Sequence, residues 1–132
     1  MSNILIVDDE STVRALLRDV LELEDYTVDE AVDGPDGLFR LHSGHYDLVV
    51  LDVMMPGMSG IEVLEEIRRD EQFRGIPVLM LTAAGDDETT WAGWSAGADV
   101  YLEKPFDHMN LLSWIERLLE TKNQSPNYAI AI

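Results

Sequence analysis

Four apolar runs in this chain end on residues that could do chemistry together. ILIV runs into Asp8 and Asp9, LVVL into Asp52, and VLML into Thr82, while a weaker run, VYL, reaches Lys104 and Pro105. In a parallel α/β sheet the carboxyl ends of the strands open onto one crevice, so residues distant in sequence meet there. Three carboxylates, a hydroxyl and an ammonium are the groups that a site for magnesium and a phosphoryl group requires. Asp52 is the best nucleophile among them, because Met54, Met55, Pro56 and Gly57 follow it with a turn that keeps it open to solvent. Asp8 and Asp9 would stand on the neighbouring strand, where three carboxylates repel one another unless a cation or a proton joins them. Hard oxygen ligands with room for water suit magnesium. Thr82 can donate its hydroxyl to one phosphate oxygen, and Lys104 can pair with another. Pro105 matters because an X-Pro bond can be cis at modest cost, which would aim the lysine inward.

The rest of the composition narrows the class. At 132 residues the chain is long enough for one domain with its own core and too short for two of ordinary size. No run approaches the roughly 18 apolar residues of a membrane helix. The start, MSNILIV, lacks the basic n-region of a signal peptide, so the cytoplasm is the expected compartment. The absence of cysteine excludes disulfides, zinc-thiolate sites and thiol catalysis. A formal net charge of −17 opposes approach to nucleic acid or to an anionic membrane surface. Lys104 and Lys122 are the two lysines of the whole sequence, which makes a lysine set directly after a strand and before a proline informative.

The elements that must position these residues alternate between strand and helix periodicity five times, which argues for parallel βαβ units. Strands are expected at Asn3 to Val7, Tyr26 to Ala31, Tyr46 to Leu51, Ile76 to Leu81 and Asp99 to Leu102. The first, third and fourth are continuous apolar runs, as strands buried on both faces should be, whereas TVDEA alternates and DVYL is short, as edge strands are. That pattern fits a doubly wound, flavodoxin-like (βα)5 sheet of order 2-1-3-4-5 in a single domain. Val13, Leu16, Leu17, Val20 and Leu21 give the first helix its core-facing stripe, with Arg14 and Arg18 pointing outward. The second helix is expected to open between Asp33 and Pro35, and the third at Ser59 ahead of Ile61, Leu64 and Ile67. The last helix repeats the stripe with Leu111, Leu112, Ile115, Leu118 and Leu119 and should stop near Lys122. In the fourth, Thr89, Thr90 and Gly93 lower helix stability by about 2 kcal/mol relative to good helix formers, so a marginal, mobile element is expected.

With ILIVDDE, LVVLDVMMPGMSG, LMLTA and GADVYLEKPF in this order and spacing, the sequence resembles a receiver domain of the bacterial two-component response-regulator family. Any one motif would be weak, but four together are highly specific. The resemblance covers Met1 to about Lys122 and leaves 123–132, NQSPNYAIAI, as a tail or the start of a linker. It implies that Asp52 accepts a phosphoryl group from a histidine kinase or a phosphotransfer protein. It implies that Asp9, Asp52 and the Met54 carbonyl ligate Mg2+, with Asp8 acting through water. It further implies that Thr82 and Tyr101 form a switch that alters the face of the fourth helix, fifth strand and fifth helix for an output domain or partner protein. Such a domain catalyses its own phosphorylation and dephosphorylation and is a switch rather than a turnover enzyme.

Each residue has a plainer reading. Asp8 and Asp9 alone would more often cap the first helix, Thr82 alone would be a strand-end hydroxyl, and Tyr101 an edge aromatic; coincidence across the strands overturns these. His42, His45 and His108 show no metal-like spacing or acidic partner pattern, and Trp94 stands where the family has a core leucine. Asn110 and Trp114 replace the acid and arginine of a charged dimer interface, which leaves homodimerisation on activation open. Trp91, Tyr101 and Trp114 are the expected apolar partner surface instead. Met54 and Ala84 cannot orient a hydrolytic water, so no extreme phosphate lifetime is expected. A haloacid-dehalogenase-type phosphatase would need its nucleophile after the first strand in a D-x-D pattern, and Asp8, Asp9, Glu10 is not one. A flavodoxin would place a phosphate where Asp8 and Asp9 repel it. An inert scaffolding receiver would need no intact site.

Overall fold

The computed structural model describes residues 2–83, 94 and 96–122. Its elements run β1 (Asn3–Val7), α1 (Ser11–Glu22), β2 (Thr27–Ala31), α2 (Gly34–Ser43), β3 (Leu48–Asp52), α3 (Gly60–Arg69), β4 (Val78–Ala83), β5 (Val100–Lys104) and α4 (His108–Lys122). The strands form one sheet in the order β2-β1-β3-β4-β5, and every pairing is parallel. This is the flavodoxin-like order expected from the apolar runs. The middle strands β1, β3 and β4 are buried almost throughout, whereas β2 and β5 alternate, because each of the latter has a strand on one side only.

Alternate residues of the central strands feed two cores. Ile4, Ile6, Val50, Leu79 and Leu81 pack with Leu17, Leu21, Leu111 and Ile115 on the α1 and α4 side. Leu5, Val7, Val49, Leu51 and Met80 pack with Leu41, Val63, Leu64 and Ile67 on the α2 and α3 side. The period-2 alternation of a strand therefore supplies both layers from one uninterrupted apolar run. Strand β3 starts at Leu48 rather than Tyr46; just ahead of it Asp47 is tied to Asn3 twice, its amide donating to the Asn3 carbonyl and its carboxylate accepting from the Asn3 amide, each at 2.8 Å.

Helix starts are local events, and they stand where the sequence put them. The Asp33 side chain accepts from the Asp36 amide and caps α2. Ser59 and Glu62 form a capping box at α3, each side chain bonding the other's backbone amide. Gly60, the first residue of α3, lies so close to the Asp52 carbonyl that a Cβ there would overlap it, so glycine is what lets α3 begin directly beneath the end of β3.

Several side chains depart from expectation. Leu16 is 42% exposed, because the buried stripe of α1 is narrower than its sequence spacing and rests on Leu17, Val20 and Leu21. Arg14 and Arg18 do not point outward: both reach across to Glu30 on β2, at 3.0 and 2.6 Å. His42 has an acidic partner after all, Asp70 at 3.1 Å, brought alongside by the fold from the end of α3, and His45 stands 3.8 Å from Asp47, two residues further along its own loop. Trp94 is 37% exposed rather than in the core, its ring 5.4 Å from that of Tyr101. Trp114 is half-buried against the α1/α4 core with the Arg117 guanidinium 5.0 Å above its ring. Most of the helix expected before β5, including Thr89, Thr90, Trp91 and Gly93, lies outside the described residues, as do Ala84 and the tail 123–132.

Candidate functional site

Register brings the strand ends together. Val7 pairs with Leu51 across β1 and β3, Asp52 with Leu81 across β3 and β4, and Ala83 with Lys104 across β4 and β5. Asp8, Asp52, Thr82 and Lys104 thus arrive at one edge of the sheet from four adjacent strands. Asp8, Asp9 and Asp52 each offer a carboxylate oxygen, and these oxygens lie within 4.8 Å of one another. Lys104 Nζ is 3.0 Å from Asp52 Oδ1, 3.7 Å from Asp8 Oδ2 and 4.0 Å from Glu10 Oε1. Asp8, Asp52 and Thr82 are buried, whereas Asp9 stands in solvent; Asp52 is only 3% exposed, so the turn at residues 54–57 does not keep it open to solvent as expected, because packing at the end of β3 covers it.

Neither Asp8 nor Asp9 caps α1. Glu10 occupies the cap position and makes no side-chain cap hydrogen bond, while Asp8 Oδ1 accepts from the Glu10 amide at 2.9 Å. That leaves Asp8 Oδ2 buried with no hydrogen-bond partner, 3.7 Å from Lys104 and so within ion-pair reach only. The Thr82 hydroxyl is likewise buried and unpartnered. Met54 is well exposed in the turn after β3, the Lys104–Pro105 peptide is cis, and Tyr101 is half-buried on β5.

The charges are out of balance. Burial pushes the Asp52 carboxyl up to about 6, with the Lys104 hydrogen bond opposing and the Asp8 charge adding to the rise. Burial also raises Asp8, against the Glu10 amide and the Lys104 charge. Burial works to lower Lys104, but its hydrogen bond to Asp52 and the surrounding carboxylates outweigh that and raise it. One ammonium thus faces three carboxylates, and a buried carboxylate oxygen is left over. An all-oxygen donor set of this kind with excess negative charge fits a hard divalent cation and disfavours soft metals. A cavity of about 270 Å3 lined by Tyr46, Phe73 and Ile76 lies at the opposite end of the sheet, ahead of β3 and β4, and takes no part in this chemistry.

The unpartnered Thr82 hydroxyl has a measurable consequence. An unsatisfied buried hydroxyl costs about 1 to 3 kcal/mol, so Thr82→Val should raise the unfolding free energy by about 1 kcal/mol in urea denaturation without metal or phosphoryl donor. A loss of stability would show that the hydroxyl is satisfied in solution.

The site residues expected from the strand ends are the ones the fold assembles. Glu10, within reach of Lys104, and Arg14, which donates to the Asp8 carbonyl at 2.7 Å, were not among them. The third acid of DDE was a sign for Glu10; nothing local marks Arg14.

A sequence model of the family described as response regulator receiver domain matches residues 4–116. The transcriptional regulatory protein ResD of Bacillus subtilis is 40% identical over 124 residues, which is 94% of this chain and 50% of that protein. The DNA-binding dual master transcriptional regulator RpaA of Synechocystis is 40% identical over 129 residues, 98% of this chain and 54% of that protein. The chain therefore spans about half the length of the curated relatives it matches. Among solved structures, the chemotaxis protein CheY4 of Vibrio cholerae superposes with a TM-score of 0.84 at 33% identity, covering 89% of this chain and 98% of that one. The signal receiver domain of a histidine kinase from Syntrophus aciditrophicus gives a TM-score of 0.89 at 29% identity, covering 100% of both.

Proposed function

Because the chain belongs to the response regulator receiver domain family of two-component signalling, we propose that Asp52 accepts a phosphoryl group from a histidine kinase or phosphotransfer protein. The observation that carries this reading is a buried carboxylate at the end of β3 with Lys104 Nζ 3.0 Å away and two further carboxylates beside it. In the transfer an Asp52 carboxylate oxygen forms a bond to phosphorus as the phosphorus–nitrogen bond of the donor phosphohistidine breaks, and the electron pair leaves with the imidazole. Lys104 then pairs with one phosphoryl oxygen and the Thr82 hydroxyl, which lacks a partner beforehand, donates to another. Asp9, Asp52 and the Met54 carbonyl would hold Mg2+, with Asp8 acting through water; the ion, when bound, offsets the negative charge of the entering phosphoryl group.

The step is self-catalysed and leaves a modified protein, so the domain works as a switch. Departure of Thr82 toward the phosphoryl group would free space beside β4 for Tyr101, on the neighbouring strand, to turn inward. The changed surface of β5 and α4 would then govern an output domain or partner, as the greater length of the named regulators suggests. The net charge of −17 argues that this domain itself does not contact nucleic acid. Among the described residues no helix is long and apolar enough to cross a membrane, and the cytoplasm is the proposed compartment.

Incubation with acetyl phosphate and Mg2+ should add one hydroxylamine-labile phosphoryl group, and EDTA should prevent it. Mg2+ alone, at a hundred times its dissociation constant, should stabilise the fold by about 2.7 kcal/mol through mass action. No incorporation under these conditions would overturn the reading.

A further inference from the structure

Asp8 is held at three of its four polar atoms. Its amide donates to the Ala31 carbonyl at 3.2 Å, its Oδ1 accepts from the Glu10 amide at 2.9 Å, and its carbonyl accepts from Arg14 Nη1 at 2.7 Å. The fourth atom, Oδ2, is the buried one with no hydrogen-bond partner. Arg14 is itself fixed, since its side chain is only 13% exposed and its Nε donates to Glu30 Oε1 at 3.0 Å. Glu30 is braced in turn by Arg18 at 2.6 Å, and Arg18 by Glu22 at 2.9 Å. Glu30 lies opposite Ile6 in the β1–β2 ladder, so this chain of ion pairs fastens the α1 surface to the sheet beside the acidic loop.

We propose that Arg14, seated on Glu30, is a positioning residue that fixes the Asp8 main chain so that the acidic site favours Mg2+ over Ca2+. The inference rests on the magnesium reading given above. Its physical basis is the different demand of the two ions: Mg2+ requires near-ideal octahedral placement of oxygens at short distance, whereas Ca2+ accepts a looser and more variable set. Asp8 would fix one of the ion's waters in that set, so its rigid support benefits Mg2+ more. Glu30 has a second effect, since its carboxylate offsets the guanidinium charge. The site gains the hydrogen bond to Asp8 without an opposing cation beside its metal.

Charge and positioning make opposite forecasts for loss of Arg14. Removing a positive charge next to a cation site should tighten cation binding, whereas removing a support should weaken it. Groups that support metal ligands typically contribute about 10- to 100-fold in affinity. Calorimetric titration of the 132-residue chain with MgCl2 and, separately, CaCl2 should show Arg14→Met weakening Mg2+ about tenfold and Ca2+ by clearly less. Arg14→Lys, which keeps the charge but cannot span Asp8 and Glu30 with a planar fork, should fall between wild type and Arg14→Met. Should Arg14→Met not fold, Arg14→Lys supplies the same comparison. Unchanged or tighter Mg2+ binding overturns the inference, and so does an equal loss for both ions, which would mark general loosening. If wild type binds no Mg2+, the failure belongs to the magnesium reading of the site.

Discussion

Asp52→Asn should abolish phosphoryl incorporation from acetyl phosphate, by about a thousandfold or more, and at the same time make the protein more stable at neutral pH in the absence of a divalent cation. The first effect follows from loss of the buried carboxylate that ends β3 and stands 3.0 Å from Lys104 Nζ. The second follows from linkage. Burial lifts the Asp52 carboxyl from 3.8 to about 6. A carboxyl raised on folding contributes stability that is fully present below its unfolded value and is lost as pH rises through its folded value. Between about pH 4 and pH 7 the wild type should therefore lose about 2 to 3 kcal/mol that the variant keeps. Lys104 loses its 3.0 Å partner in the variant, which returns part of that gain and leaves about 1 to 2 kcal/mol. Urea denaturation at pH 4.5 and pH 7.5, with and without Mg2+, reads this directly. Retained labelling would move the acceptor elsewhere, and parallel pH profiles for variant and wild type would show that Asp52 does not titrate in this range.

Arg68→Ala should lower the unfolding free energy by about 3 kcal/mol or more, although Arg68 lies far from the chemistry. From the last turn of α3 its Nε donates to the Gly97 carbonyl at 2.9 Å and its Nη1 to the carbonyls of Arg74 and Ile76 at 3.0 and 2.7 Å. Its Nη2 pairs with Asp99 Oδ2 at 3.0 Å, and the same oxygen accepts from the Val78 amide at 2.8 Å. Burial acts to lower the guanidinium and to raise the Asp99 carboxyl, and their mutual attraction opposes both. Truncation takes this donor from three carbonyls and leaves the partly buried Asp99 carboxylate without its counter-charge, held by the Val78 amide. Arg68→Lys should recover only a minor part, since a point charge cannot reproduce the fork. Phosphoryl incorporation should persist at temperatures where Arg68→Ala is folded. A midpoint shift in urea corresponding to less than about 1 kcal/mol would show that solvent replaces these bonds.

What could be read in advance depended on how far apart the interacting groups stand in sequence. The strand order was legible because burial on both faces leaves an uninterrupted apolar run and an edge leaves alternation, as β3 and β2 show. The caps at Asp33 and Ser59 were legible because a cap closes within three residues. Asp8, Asp52, Thr82 and Lys104 were legible because parallel strands deliver their ends to one place. Arg14 and Arg18 were misjudged because Glu30 is 16 and 12 residues away, and helical spacing cannot reveal a partner on another strand. His42 meets Asp70 across 28 residues for the same reason. Arg68 left no sign because three of its four acceptors are main-chain carbonyls, which every residue carries. The elevated Asp52 carboxyl could not be anticipated either, since desolvation depends on the packing around it rather than on residue type.

The loop after Asp52 is closed at its base. Val53 donates to the Leu81 carbonyl at 3.0 Å, and Gly60 donates back to the Val53 carbonyl at 2.9 Å, so residues 54–59 form an arch whose far foot is tied to the residue at its near foot. An arch of this kind can be pressed or reshaped at its crown without shifting its footing. Exposed Met54 stands on the part of the loop that a docking protein would touch, while Asp52 is held as the last residue of β3 with the start of α3 packed directly beneath it. Because the Met54 carbonyl is also a proposed metal ligand, pressure on that crown would reach the site through the metal rather than through Asp52 itself.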